Sequence, residues 1–260
     1  EALAGQFDLP FYRADLDLSS EVGNVEAAAR RGRYHALAAM AETFRTRYVV
    51  CAHQADDQLE TVLMRMLRGA SVRGLSGMAW RRRLLPGRQT RLIRPMLGVD
   101  RESAERYLQD LDQPWREDHT NRDLSRSRAR LRHEVLPVLR GMRPDVAVKS
   151  VGLTDHMRAV ARIVEDAIEL AADRVMWSDG SATFDRADAR SLPRVVLVGL
   201  LRRILSAAGA VPDKLGSRTM NPVVRAIRDR QGGQRSFDLS GNVCLQITRD
   251  TVRIGPGNEA

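Results

Sequence analysis

Three carboxylates lie close together in the segment AHQADDQLET, which begins at Ala52. Asp57 and Glu60 are three residues apart and Asp56 and Glu60 are four apart, so a helix would place their side chains on one face. Carboxylates this close repel one another unless a cation or the positive end of a helix dipole offsets their charge. A bound ammonium group would supply that cation. By spacing alone, an acidic first turn that merely caps a helix explains the same residues.

A basic stripe is the second feature that could do chemistry, and it lies in the segment RSRARLRHEVLP. Arg128, Arg132 and His133 recur there at helical spacing beside apolar positions. Arginine side chains in such a stripe suit phosphate groups. A solvated helix face whose arginines pair with Glu134 explains the pattern equally well.

The overall charge indicates the class of partner. Among 260 residues, 42 are Lys or Arg and 33 are Asp or Glu, which gives a formal net charge of +9. Most of the basic residues are arginine, whose planar guanidinium group suits phosphate better than the ammonium group of lysine. A nucleic acid is therefore the expected partner, ahead of a membrane surface. A GC-rich genome would raise the arginine content without such a partner, so composition alone leaves both explanations open.

Neither a metal site nor a membrane span is predicted. Cys51 and Cys244 lie far apart and form no CxxC motif, and the histidines show no spacing typical of metal ligands. Isolated cysteines of this kind indicate a reducing compartment, the cytoplasm. Arg202 and Arg203 interrupt the best candidate for a bilayer span, the apolar run from Val195 to Leu205.

The first half of the chain alternates between strand and helix patterns. Its predicted elements are strands at 47–53 and 92–93 and helices at 26–44, 56–68 and 100–111. Gly69 is a plausible end for the helix that carries the three carboxylates, and Asp100 can cap the last helix. Strands that alternate with helices are typical of a parallel α/β sheet.

The second half of the chain is mainly helical. Long helices are predicted at 151–176 and 193–208, and a terminal β-hairpin at 236–239 and 243–254, with its turn at Ser240-Gly241-Asn242. We therefore expect an α/β domain at residues 1–141, followed at 142–260 by a helical domain that ends in a small hairpin.

Four pieces of sequence occur in an order that resembles a known family. They are AHQADDQLETVLMRMLRGASVRGLSGM, LIRPML, WREDHTN and RARLRHEVLP. The chain resembles the tRNA(Ile)-lysidine synthases of the PP-loop ATP pyrophosphatase superfamily continuously from about Asn24 to Leu139, and more loosely from Leu192 to Gly255. The resemblance implies a Rossmann-like parallel sheet of the PP-loop type in the first domain. It also implies that the second, helical domain binds tRNA.

The resemblance further implies an ATP-dependent carbon–nitrogen ligase. In that reaction ATP, carrying Mg²⁺, adenylates the C2 carbonyl oxygen of the wobble cytidine in the isoleucine tRNA with a CAU anticodon. The side-chain amine of lysine then attacks C2, which releases AMP and leaves lysidine.

Particular residues of this sequence match the family's motifs. Asp57 and Glu60 match an acidic pair that holds lysine, and a carboxylate beside the amine can receive the proton lost on attack. Arg94, Arg128 and Arg132 match arginines that could neutralise phosphates or the adenylated intermediate. The resemblance also places at the substrate or nucleotide site Asp56, Asp118, Asn121 and His53.

The sequence departs from the family pattern in several places. Gln54, Thr120 and Ala129 stand where the family commonly has His, Ser and Asn. The SGGxDS loop, which binds pyrophosphate on backbone N–H groups, does not occur in this chain, and the family places it upstream of the region that matches Glu1. We therefore expect the 260 residues alone to form no lysidine.

Two other functions stay open. One is a tRNA thiolase of the same superfamily, although such enzymes generally use cysteine pairs or an iron–sulfur cluster. The other is a relative that binds tRNA and does not catalyse.

Overall fold

The computed structural model describes residues 1–17, 25–115, 127–230 and 233–257. The chain divides into two compact units, Glu1–Met157 and Arg158–Ala260. The division falls inside a long helix, Val146–Ala172. The domain boundary expected between residues 141 and 142 stays a prediction.

The first unit combines helices with a small sheet. In chain order its elements are α1 (Ala2–Gln6), α2 (Val25–Thr43), β1 (Tyr48–Val50), α3 (Ala55–Leu67), α4 (Val72–Leu75), β2 (Arg81–Arg83), β3 (Arg91–Ile93), α5 (Arg101–Asp110), α6 (Ser127–Arg130), a π-helical turn (Leu131–Val135), α7 (Leu136–Met142) and the start of α8 (Val146–Ala172). The predicted strands and helices of this half are thus confirmed, each to within a few residues of its expected bounds.

The sheet of the first unit has the order β1–β3–β2. β1 and β3 are parallel, with Val49 opposite Leu92, as the alternation of elements predicts. β2 was not predicted, and it pairs with β3 in the antiparallel direction, with Arg82 opposite Leu92. Leu92 is fully buried and packs with Tyr34 of α2 and with Leu84, which ties the sheet to that helix.

Local signals explain the bounds of the helix that carries the carboxylates. The backbone N–H of Gln54 donates to Asp57 Oδ2 at 2.9 Å, one half of a capping box at the start of α3. Leu59 and Val62, the apolar residues of α3 at a spacing of three, are buried in the core. Gly69 follows the last turn with φ at +74°, a left-handed conformation that glycine adopts without strain.

The π-helical turn before α7 has a cause in the sequence. Pro137 has no N–H to donate to the carbonyl four residues earlier, and its ring would clash with that carbonyl. That carbonyl belongs to His133, which lies inside the π-helical turn. Widening of the turn accommodates the proline, and π-turns of this kind are frequent at functional sites.

The second unit contains more sheet than the sequence pattern predicts. After the rest of α8 its elements are β4 (Met176–Ser178), β5 (Ser181–Asp185), α9 (Arg186–Ser191), α10 (Arg194–Ala207), a 3₁₀ turn (Pro212–Lys214), α11 (Ser217–Arg228), β6 (Arg235–Leu239), β7 (Val243–Ile247) and β8 (Thr251–Pro256). The five strands form one antiparallel sheet in the order β4–β5–β8–β7–β6.

Two expectations about the second half need correction. The predicted helix 151–176 ends at Ala172, and Met176 begins a strand. The predicted strand 243–254 is two strands, because the chain turns between Ile247 and Thr251. The expected hairpin itself is present as β6 and β7, so the correction concerns its neighbours in the sheet.

The core of the second unit lies between α10, α11 and the sheet. Leu197, Leu201 and Leu205 recur along α10 at spacings of four, are fully buried, and belong to one cluster with Ile227 and Leu245. Burial of this apolar face holds the unit together.

Arg186 is a buried arginine of the second unit that stabilises the end of a helix. Its guanidinium group donates to the carbonyls of Ala226, Ile227 and Asp229 at the end of α11, and to the carbonyl of Thr248. The last carbonyls of a helix have no partner within the helix, so one side chain satisfies several of them here.

Candidate active site

A cavity of about 500 Å³ opens in the first unit at the amino end of α3. Its volume is in the range of pockets that bind small molecules. Side chains of both charges line it, together with Trp115 and His133. The charged residues are Asp56, Asp57, Glu60, Arg101, Glu105, Arg132 and Arg140. A wall with both signs of charge suits a zwitterion such as an amino acid.

Asp57 and Glu60 both line this cavity, as their spacing predicts. The side chain of Glu60 is 1% exposed, whereas that of Asp57 is 30% exposed. Arg132 lies between them: its Nε donates to Glu60 Oε1 at 2.7 Å, and its Nη2 lies 3.9 Å from Asp57 Oδ1. The two carboxylates therefore share one guanidinium group.

The second oxygen of Glu60 has an unusual environment. Arg128 Nε approaches Glu60 Oε2 at 3.3 Å, but none of the residues that the structure describes donates a hydrogen bond to this buried oxygen. A buried acceptor without a donor is costly, so the site can gain stability when a donor arrives. Burial raises the pKa of Glu60, while the charge and hydrogen bond of Arg132 lower it.

Both carboxylate oxygens of Asp56 interact with other groups of the protein. One of its oxygens forms an ion pair with Arg140 of α7, and the other accepts a hydrogen bond from the backbone N–H of Arg101 at 2.7 Å. Asp56 thereby fastens the start of α5 and the helix α7 to α3. Its assignment to the substrate stays a prediction.

His53 and Arg94 lie at the carboxyl ends of the parallel strands. Arg94 Nε donates to His53 Nδ1 at 3.3 Å, and Arg94 Nη1 donates to the carbonyl of Ala79 at 2.7 Å. Burial lowers the pKa of His53, and the charge of Arg94 lowers it further, although Asp57 raises it. His53 is therefore neutral near pH 7, with Nδ1 as the acceptor and the other nitrogen as the N–H donor.

The basic stripe turns toward the carboxylates. Arg128 and Arg132 both point to Glu60, which lies 72 residues before Arg132. Glu134 pairs with Arg130 instead, one turn along the helix. The catalytic role of Arg128 and Arg132 stays a prediction.

Gln58 is an important residue that the sequence reasoning missed. It is fully buried, and its amide donates to the carbonyl of Met78 at 3.0 Å and to Thr154 Oγ1 at 2.7 Å, while its oxygen accepts the N–H of Met78 at 2.7 Å. Gly77 permits this close approach, since a Cβ there would lie 2.7 Å from the amide. The only local signal was a single amide side chain within α3.

The remaining predictions about the site lie partly outside the structure. Asp118 and Asn121 fall outside the described residues. Among residues 1–17, 25–115, 127–230 and 233–257, no group of three or more His, Cys, Asp or Glu side chains could hold a metal ion. In the same ranges, no helix is both long and apolar enough to cross a membrane.

Comparison with known proteins identifies the family. The PP-loop domain matches residues 1–139, more than half of the chain. The tRNA(Ile)-lysidine synthase of Thermobifida fusca is 35% identical over 84% of this chain and 65% of its own length, and that of a Nostoc species is 31% identical over 86% and 63%. The tRNA(Ile)-lysidine synthase of Burkholderia pseudomallei is 37% identical over the whole chain and 52% of its own length.

The chain covers only part of the length of each of these relatives. The chain spans about half to two thirds of the length of the curated relatives that it matches. The match to the PP-loop domain covers β1, β2, β3 and α3, and all the residues that line the cavity except Arg140. The chain belongs to the PP-loop domain family, among relatives that carry the name tRNA(Ile)-lysidine synthase.

Proposed function

We propose that this protein takes part in the ATP-dependent ligation of lysine to C2 of the wobble cytidine in the isoleucine tRNA with a CAU anticodon. The observation that carries the proposal is the cavity at the start of α3, which Asp57 and Glu60 both line and where Glu60 Oε2 accepts no hydrogen bond from the described residues. The names of the relatives point to the same reaction.

Lysine fits the cavity by charge. An ammonium group has three N–H donors, and it can give one to Glu60 Oε2 and one to Asp57. The carboxylate of lysine is matched by the guanidinium groups of Arg132 and Arg140 on the same wall. When the side-chain amine attacks C2, it must lose a proton, and Asp57 is the more exposed carboxylate able to accept it.

ATP is the proposed co-substrate, in keeping with the PP-loop domain. Mg²⁺ carried by ATP would neutralise part of the phosphate charge. His53 and Arg94 follow the carboxyl ends of β1 and β3, where open α/β sheets commonly bind ligands. Asp118 and Asn121 are proposed to shape the same site. Arg94 and Arg128 would stabilise the negative charge on the phosphate of the adenylated intermediate.

The tRNA is the proposed polyanionic partner. The net charge of +9 supports binding through phosphates, and the aromatic content of 5% leaves few rings for stacking on bases.

Two measurements test the proposal. Isothermal titration of the 260-residue chain with L-lysine should give saturable binding, and Nε-acetyl-lysine, which lacks the side-chain charge, should bind at least tenfold more weakly. Labelled lysine should be incorporated into the tRNA by the protein expressed from the complete reading frame that contains these residues, and only with ATP. Equal binding of lysine and acetyl-lysine, or tRNA binding without incorporation, would favour the non-catalytic alternative.

A further inference from the structure

One side of the long helix α8 carries apolar side chains that stay exposed in the second unit. Ile163 is 68% exposed, Leu170 is 65% exposed and Val160 is 43% exposed. Other apolar residues of the same helix, among them Ile168 and Ala171, are buried in the core of the unit. The helix therefore has one apolar side that packs against the core and a second apolar side that faces solvent.

The exposed residues have the spacing of a helix that pairs with another helix. Val160, Ile163, Ala167 and Leu170 follow one another at alternating spacings of three and four residues. Apolar residues that alternate in this way form the contact line between two paired helices. Single exposed apolar residues are common on protein surfaces, whereas a continuous apolar patch marks a site of interaction. We call these four residues the α8 stripe.

A cavity of about 330 Å³ opens beside the α8 stripe within the second unit. Ala167 and Leu170 belong to both the stripe and the cavity wall, and Phe184 and Val196 lie among the other wall residues. An apolar side chain would fill such a recess favourably, because burial removes its surface from water. Ile163, the most exposed residue of the stripe, lies one helical turn before Ala167 and so projects next to this recess.

Charged residues beside the stripe indicate which partner helix fits it. Arg162 lies on the outer flank of the stripe, and Asp166 follows one turn later on the same flank. In the part of the second unit that the structure describes, neither side chain forms an ion pair. A parallel second copy of α8 would bring each of these residues level with its own counterpart, so like charges would meet.

An antiparallel second copy brings opposite charges together instead. With Ile163 of one copy opposite Ala167 of the other, Arg162 of each copy lies about 3 Å along the helix axis from Asp166 of its partner. This match occurs twice, because a twofold axis repeats every contact. Charge complementarity therefore favours a second copy of this chain, in the antiparallel direction, as the occupant of the stripe.

We propose that the α8 stripe joins two copies of this chain as an antiparallel pair of helices. Ile163 of one copy enters the cavity beside Ala167 of the other, and Val160 lies opposite Leu170. Burial of these side chains supplies the driving force. Two helices paired over a few turns bury less surface than interfaces of standard size, which bury about 1,600 Å², so the dimer should be weak and concentration-dependent. The pairing is independent of the proposed ligation.

Sedimentation velocity of the 260-residue chain over a range of concentrations tests the pairing. The average mass should rise from one copy to two with concentration, and no further. Ile163→Ser should raise the dissociation constant of the dimer at least tenfold, since the change removes two buried side chains per dimer. Val138→Ser is the matched control: it removes an apolar side chain of similar exposure from α7, and the dissociation constant should change less than twofold.

An exchange of charges tests the direction of the two helices. Arg162→Glu places a carboxylate level with Asp166 of the partner copy, and Asp166→Arg places two arginines together, so each variant should weaken the dimer several-fold. The two changes combined should restore most of the affinity, because each pair forms again with its signs reversed. A variant that merely fails to fold would not be rescued by the second change.

Several outcomes would overturn the proposal. They are a mass of one copy at every concentration, an equal loss from Ile163→Ser and Val138→Ser, growth beyond two copies, and losses that add in the doubly charged variant instead of cancelling. The protein from the complete reading frame that contains these residues gives one more test. If it stays monomeric while the 260-residue chain pairs, a further segment of the same protein covers the stripe, and the proposal is wrong. Lysine binding by the Ile163→Ser variant should stay unchanged, so a failure here is distinguishable from a failure of the proposed lysine site.

Discussion

Replacement of Glu60 by Gln tests the carboxylate cavity most directly. The change keeps the size of the side chain and removes its charge, and the new amide places an N–H₂ group or an uncharged oxygen against two guanidinium groups. Glu60 is 1% exposed, and its Oε1 accepts the 2.7 Å hydrogen bond from Arg132. Arg128 and Arg132 would then lose their common partner.

The burial of Glu60 sets the expected size of two effects, the loss of stability and the loss of lysine affinity. Breaking a fully buried ion pair costs about 3–5 kcal/mol. The side chains of Arg128 and Arg132 keep 41% and 28% exposure, so they recover water. We therefore expect a loss of about 2 kcal/mol in the free energy of unfolding, or roughly 4–8 °C in Tm. Loss of a charged hydrogen bond to the lysine ammonium should cost about 1.5–3 kcal/mol, a roughly ten- to 150-fold weaker affinity.

The assay pairs thermal unfolding with calorimetric titration of lysine, and ATP is titrated in parallel. The dissociation constant for lysine should rise much more than the dissociation constant for ATP. Glu105→Gln is the control, because Glu105 lines the same cavity but pairs with Arg101, and lysine affinity should change less than threefold. If Glu60→Gln lowers Tm but leaves lysine affinity intact, or affects lysine and ATP equally, the assignment of Glu60 to lysine is wrong.

Three further predictions concern the rest of the chain. Gln58→Leu removes three buried hydrogen bonds and should lower the free energy of unfolding by about 2–4 kcal/mol in urea titration, whereas exposed Gln109→Leu should have little effect. Arg186→Met leaves buried carbonyls at the end of α11 without donors and should destabilise the second unit by about 3 kcal/mol, seen as loss of near-UV circular dichroism from Trp177 at lower temperature; an unchanged transition would contradict the structural role of Arg186. Affinity for tRNA should fall steeply between low and physiological salt, since each neutralised phosphate releases about one counterion, and a salt-independent affinity would contradict binding through phosphates.

Elements with strong local signals were predicted from the sequence. The apolar spacing along α3, the capping carboxylate of Asp100 and the hairpin turn at Gly241 and Asn242 each act within a few residues, and all are present. Asp100 Oδ1 accepts the N–H of Ser103 at 2.7 Å, and this bond lowers the pKa of Asp100.

Elements that depend on distant partners were not predicted. β5 exists because it pairs with β8, where Ala182 lies opposite Ile254, some seventy positions later in the chain. β2 consists of three arginines and lacks any apolar alternation, and only its pairing with β3 makes it a strand. Short strands of this kind are determined by the tertiary structure and not by their own residues.

The same distinction holds for the site. The convergence of Asp57 and Glu60 follows from a spacing of three residues, which the sequence displays. The ion pair of Asp56 with Arg140 joins residues 84 positions apart, and no pattern within the helix indicates it. As a result, spacing alone placed the three carboxylates on one helix face, whereas the structure shows that Asp56 also joins α5 and α7 to α3 and that Arg132 lies between Asp57 and Glu60.

The two proposed substrates carry opposite charges, and the charged residues around α3 bear on how each one finds its site. A cationic amino acid and a polyanionic nucleotide must bind within one unit of a strongly basic protein without exchanging places. Carboxylates begin α3, while Arg94 follows the neighbouring strand and Arg30 lies on α2. His53 is influenced by both charge types: burial lowers its pKa, Arg94 and Arg30 lower it further, and Asp57 raises it. The carboxylates of Asp57 and Glu60 can therefore attract the ammonium group of lysine while Arg94 attracts phosphate, before any contact specific to lysine or adenine is made.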